Sequence, residues 1–89
     1  MEKMVSSSQL SQRCAQLLKA ARKKQGLTQW QLAEKLGCQQ PLVATIERAA
    51  RRLDIAEYIE VAQAIGVDPS RIIKRLLAEP VARNHGYQR

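Results

Sequence analysis

An all-α domain of five helices is what this sequence predicts, on three observations. Apolar residues recur at helical spacing in five segments; glycine, proline or a capping residue punctuates each segment; and no stretch alternates as a strand does. With 89 residues there is room for one domain and one core. A catalytic cleft of roughly 300–1,000 Å³ is hard to fit in a chain of this size.

The first helix is expected to begin after a cap from Ser6, Ser7 or Ser8 and to run to about residue 25, with Leu10, Cys14, Leu17, Leu18 and Ala21 along one face. Gly26 ends it, and Leu27 is placed to pack back on its last turn. Thr28 followed three residues later by Gln31 is a capping-box pattern, which opens a second helix from Gln29 to Leu36 with Leu32, Ala33 and Leu36 inward. A third helix follows over residues 40–48, because Val43 and Ile46 are three apart and Pro41 is tolerated only in a first turn. The connection is Gly37, Cys38 and Gln39. So short a link forces two helices to cross steeply, as in a helix-turn-helix.

Asp54 and Glu57 repeat the capping-box spacing and open a fourth helix, whose inner face is Tyr58, Val61, Ala62 and Ile65 and whose end is Gly66. Asp68 as cap and Pro69 as first helical residue start the fifth, which runs to about residue 79 with Ile72, Ile73, Leu76 and Leu77 as a wide apolar surface. The domain is thus expected over residues 9–79, between a flexible N-terminal segment, 1–8, and a basic flexible tail, 80–89.

Fifteen Lys and Arg against eight Asp and Glu give a formal net charge of +7, which favours a polyanionic partner. The first 26 residues carry six basic and one acidic side chain, whereas residues 53–79 carry three and five, so the charge lies in the first half and the tail. Trp30, Tyr58 and Tyr87 are the only aromatic residues, too few for platforms that stack single-stranded bases, so duplex binding fits better. Cys14 and Cys38 lack metal-ligand spacing, His85 stands apart from both, and the carboxylates are scattered. No metal, cofactor or enzymatic activity is therefore expected. Without a run of 18 apolar residues or a signal-peptide pattern, no membrane association is expected and a cytoplasmic location is.

Leu27-Thr28-Gln29, Leu32-Ala33, Leu36-Gly37, Val43, Ile46-Glu47 and Ile65-Gly66-Val67 occur in order and at the spacing of one known family. In them the chain resembles the phage repressor and Cro type of helix-turn-helix, also named for the xenobiotic response element (XRE), over roughly residues 18–77. The resemblance implies a lambda-repressor-like domain whose third helix enters the major groove of double-stranded DNA while the second rests across the phosphates. It implies a phosphate contact for Gln29, with its amide and the free N–H groups of the helix start as donors. Gln39 and Gln40 fall where the family faces base edges or the adjoining backbone, and a glutamine amide matches N6 and N7 of adenine. Gln40 is the best candidate reader; the other reading has Gln39 only capping and Gln40 on phosphate.

Pro41, Ala44 and Thr45 lie on the outward face opposite Val43 and Ile46, where Pro41 and Ala44 suit thymine methyls and Thr45 suits either a methyl or donation to a base. Family members carry longer polar residues there, so shape and backbone contacts gain weight. Leu42 faces either the groove or the domain edge. On the family layout Arg48, Arg51 and Arg52 run beside phosphates, with Lys35 a weaker candidate. The family usually has glycine where this chain has Ala49, so a continued turn is expected at the exit from the third helix. Arg22 and Glu47 are implied to pair across the domain as a structural clamp. Trp30 either flanks the DNA backbone or packs under the third helix.

A transcriptional regulator acting as a homodimer on a pseudo-palindromic operator is the first functional reading, because a single module this small gains most of its binding from phosphates. Ile72, Ile73, Leu76 and Leu77 are its candidate dimer surface, the alternative being that all four are core. The second reading is the antitoxin of a toxin–antitoxin pair, with the same fold and a protein partner held through the tail or the fifth helix.

Overall fold

A computed structural model describes residues 5–78, with side chains from residue 8 onward. Five helices follow one another: α1 (Val5–Lys24), α2 (Gln29–Leu36), α3 (Gln40–Glu47), α4 (Ile55–Ile65) and α5 (Pro69–Ala78). The tail expected over residues 80–89, and His85 and Tyr87 within it, lie outside the described residues.

Local chemistry sets most of these boundaries. At α2 the Thr28 hydroxyl accepts from the Gln31 N–H (3.0 Å) and the Gln31 side chain accepts from the Thr28 N–H (2.9 Å), the reciprocal capping box its spacing predicts. Asp54 and Glu57 do the same for α4, at 2.8 and 3.0 Å. Asp68 opens α5 by accepting from the Ser70 N–H (2.9 Å) and hydroxyl (2.8 Å), and both bonds hold its carboxyl below the usual carboxylate range.

The start of α1 differs from expectation. The helix begins at Val5, so Ser6, Ser7 and Ser8 lie inside it rather than capping it. Serine costs only a few tenths of a kcal/mol relative to good helix formers, which is too little to stop a helix that packing supports downstream. The inner face of α1 is also rotated: Ala15, Leu18 and Arg22 are buried, Cys14, Leu17 and Ala21 flank them, and Leu10 is 42% exposed. Arg22 draws the face toward itself because its guanidinium has a buried partner.

The core joins Leu18 of α1, Leu32 and Ala33 of α2, Val43 and Ile46 of α3, Tyr58, Val61, Ala62 and Ile65 of α4, and Ile72 of α5. Ala33 is 3% exposed, where any larger side chain would push α2 off its neighbours. The Tyr58 hydroxyl donates to the Pro69 carbonyl and ties α4 to the start of α5. Burial, with Cys14 and Asp68 nearby, pushes that phenol up to about 12. Of the four apolar residues of α5, Ile72 is core and Leu76 packs against the core, whereas Ile73 (39% exposed) and Leu77 (80%) face outward. The surface expected from all four is therefore split, as one helix stripe cannot point two ways.

Candidate nucleic-acid interface

The frame of the interface is the α2–α3 pair and its three-residue turn. Gly37 takes φ 73°, its N–H reaches the Glu34 carbonyl (3.1 Å), and the Cys38 N–H reaches Ala33 (3.0 Å). A glycine tolerates this left-handed turn without strain, so α3 leaves α2 at a fixed angle. Val43 and Ile46 anchor α3 from beneath, at 1% and 6% exposure. Leu42 is half-buried and packs against the core.

On the other side of α3 the sequence-predicted residues gather. Gln39 is the N-cap with extended backbone, makes no side-chain cap bond and is exposed. Pro41 is exposed and Ala44 and Thr45 half-buried on the outward stripe. The Thr45 hydroxyl donates to the Pro41 carbonyl (2.8 Å), which fixes its rotamer and leaves its oxygen lone pairs and methyl for a partner.

Gln29 and Gln40 meet. The Gln40 Nε2 donates to Gln29 Oε1 at 2.8 Å, and the Gln29 Nε2 donates to Glu47 Oε1 at 2.9 Å. Glu47 in turn accepts from Arg22, Nε to Oε2 at 2.6 Å and Nη2 to Oε1 at 3.0 Å, with both side chains under 10% exposed. Arg22 spends its remaining reach on the Leu27 carbonyl, Nη1 to O at 2.7 Å. The start of α2, the start of α3 and the end of α3 are thus joined by one polar chain that ends on a buried ion pair. Removing one member of such a pair costs about 3–5 kcal/mol, because the other is left buried and uncompensated.

The arginines beyond α3 separate. Arg48 is the exposed C-cap, and Arg52 is exposed. Arg51 is held by Glu57 in a two-bond fork, Nη1 to Oε1 at 3.1 Å and Nη2 to Oε2 at 2.6 Å. The fork raises the Arg51 guanidinium and, with the Asp54 N–H, holds the Glu57 carboxyl below its usual range. Lys35 is exposed in the last turn of α2, and Trp30 is 69% exposed at its start, so it does not pack under α3.

Ala49 overturns the expected continued turn. It has φ 59°, its N–H reaches Ile46 (3.0 Å) and the Ala50 N–H reaches Thr45 (3.1 Å), a complete Schellman closure built without glycine. The helix ends there because a tight reversal is needed before α4, and alanine is carried into the left-handed region to provide it.

Two ties escaped the reading of the sequence. One is the Glu57 fork on Arg51, whose only signal was an opposite charge six residues away. The other is Gln25, whose Nε2 donates to the Ile65 and Gly66 carbonyls (3.4 Å each) across 40 residues. Among the described residues no helix is long and apolar enough to cross a membrane.

A helix-turn-helix family model matches residues 18–72. Among solved structures, an XRE-family like protein from Pseudomonas syringae pv. tomato str. DC3000 superposes with a TM-score of 0.76 at 37% identity, over 85% of this chain and 92% of that one. A search of curated proteins found no match.

Proposed function

This chain belongs to the XRE-like helix-turn-helix family, and from that premise we propose that it is a sequence-specific transcriptional regulator of the cytoplasm that binds double-stranded DNA as a homodimer. The observation that carries the reading is α3, a short helix locked from beneath by Val43 and Ile46 that presents Gln40 at its start and Pro41, Ala44 and Thr45 along its outer stripe. Gln40 reads a base edge in the major groove, and Pro41, Ala44 and Thr45 meet thymine methyls or the groove floor. Gln39, at the helix entry, faces the adjoining base or sugar. Gln29, Lys35, Arg48 and Arg52 neutralise or contact phosphates, with Arg51 joining them only when its fork with Glu57 opens.

Two copies read a pseudo-palindromic operator with their α3 helices about 34 Å apart, one turn of duplex. Ile73 and Leu77 are the outward residues of α5 that support the contact between copies. Their exposure also suits a protein partner, as an antitoxin would have; a small toxin that co-purifies stoichiometrically would favour that second reading.

The test compares Gln40→Ala and Arg52→Ala on a selected duplex and on random duplex. Gln40→Ala is expected to lose about 1–3 kcal/mol on the selected duplex and to relax preference at one base position. Arg52→Ala is expected to weaken both duplexes alike and to lower the salt slope by about one. Equal losses on both duplexes for Gln40→Ala would exclude it as a reader.

A further inference from the structure

The polar chain from Arg22 to Gln40 has a direction, and the direction is set at one end. Glu47 carries two carboxylate oxygens and no proton, so every group that meets it must donate. Arg22 does so from Nε and Nη2, and Gln29 from Nε2. With its NH2 turned to Glu47, Gln29 presents its carbonyl oxygen on the side of Gln40, and Gln40 answers with its own NH2. Amide oxygen and nitrogen are nearly equal in shape, so neither glutamine would hold this orientation by packing alone.

What remains on Gln40 for a partner follows from this order. One N–H of its amide is spent on Gln29; the other N–H and the carbonyl oxygen are free. A donor and an acceptor side by side complement N7 and N6 of adenine. With the chain reversed, Gln40 would accept from Gln29 and turn both N–H groups outward, which complements the two acceptors of guanine, N7 and O6.

We propose that Glu47 is a specificity-determining positioning residue: acting through Gln29, its charge fixes the orientation of the Gln40 amide and so selects adenine over guanine at the base pair that Gln40 reads. The proposal rests on Gln40 being the base reader, and the experiment separates the two. Base preference is measured by competitive binding of duplexes selected from random sequence and varied one base pair at a time, for the wild type, Gln40→Ala, Glu47→Gln, Gln29→Leu and the Glu47→Gln/Gln29→Leu double variant.

Gln40→Ala identifies the base pair; a preference unchanged at every position removes the reader and the proposal with it. Glu47→Gln, whose side chain can donate or accept, is expected to lower the adenine-to-guanine preference at that same pair by about tenfold, within the range one two-bond contact supplies. Gln29→Leu cuts the chain while leaving the Arg22–Glu47 pair in place, and should lower the same preference; Glu47→Gln added to it should change the preference no further. A Glu47→Gln effect uniform over all four bases, or one of equal size with and without Gln29, would show a merely structural role and overturn the proposal. If thermal unfolding shows that Glu47→Gln does not fold, Gln29→Leu decides alone: the loss of its phosphate contact weakens all duplexes alike, a fall in the adenine-to-guanine preference at that base pair beyond this supports the proposal, and an unchanged preference overturns it.

Discussion

Ala49 is a single residue in which backbone strain can be weighed. A left-handed alanine costs about 1–2 kcal/mol, and glycine in its place gives back about half of that as lost chain entropy. Ala49→Gly is therefore expected to stabilise the domain by roughly 0.5–1 kcal/mol, a rise of roughly 2–8 °C in Tm. A fall in Tm would mean that Ala49 is not left-handed in solution. Tyr58 makes a second prediction at this scale. Its phenol is raised to about 12 in the folded chain against an ordinary value near 10, so the folded state holds its proton more tightly. The stability it adds is complete below pH 10 and declines as pH rises toward 12, and Tyr58→Phe should flatten that decline in denaturant titrations. Neither effect was legible from residue type. Alanine is the best helix former, and its sign of φ depends on where α4 must start.

At the scale of elements, what the sequence reveals divides by distance along the chain. The capping boxes at Thr28 and Asp54 and the boundaries of α2 and α4 follow from partners three residues apart, which spacing alone determines. The rotation of α1 and the joining of Gln29 to both Gln40 and Glu47 depend on how helices cross, and only the resemblance pointed to the Arg22–Glu47 clamp. The link from α3 to α4 is a further case, because the Arg51–Glu57 fork pairs a cation just beyond the end of α3. Glu57 is depressed first by Arg51 and then by the Asp54 N–H. Its stabilising contribution is thus whole above the ordinary carboxylate range, about 4.3, and is lost only as pH falls through its lower native value. At neutral pH the fork is closed. Glu57→Gln should open it, raise affinity for random duplex, and steepen the dependence of log K on log salt by about one unit. An unchanged slope in a salt titration would show that Arg51 does not reach phosphate when released.

For the molecule as a whole, the fold class, the five elements and most of the core were readable because each helix carries its own apolar period. The use of α5 was not, since four apolar residues in one helix do not say which of them the core will take. Ile72→Ala is expected to cost about 2–5 kcal/mol by opening a cavity. Leu77→Glu, at 80% exposure, should leave thermal stability of the isolated domain within about 0.5 kcal/mol and abolish the dimer in sedimentation. A Leu77→Glu protein that remains dimeric would place the interface elsewhere. Whether α3 reads duplex DNA is decided by selecting bound sequences from random duplex with the wild-type chain. Enrichment of a pseudo-palindrome whose half-sites are centred about 10–10.5 base pairs apart is the expected result. Retention of duplex at low salt with no sequence enriched would contradict it.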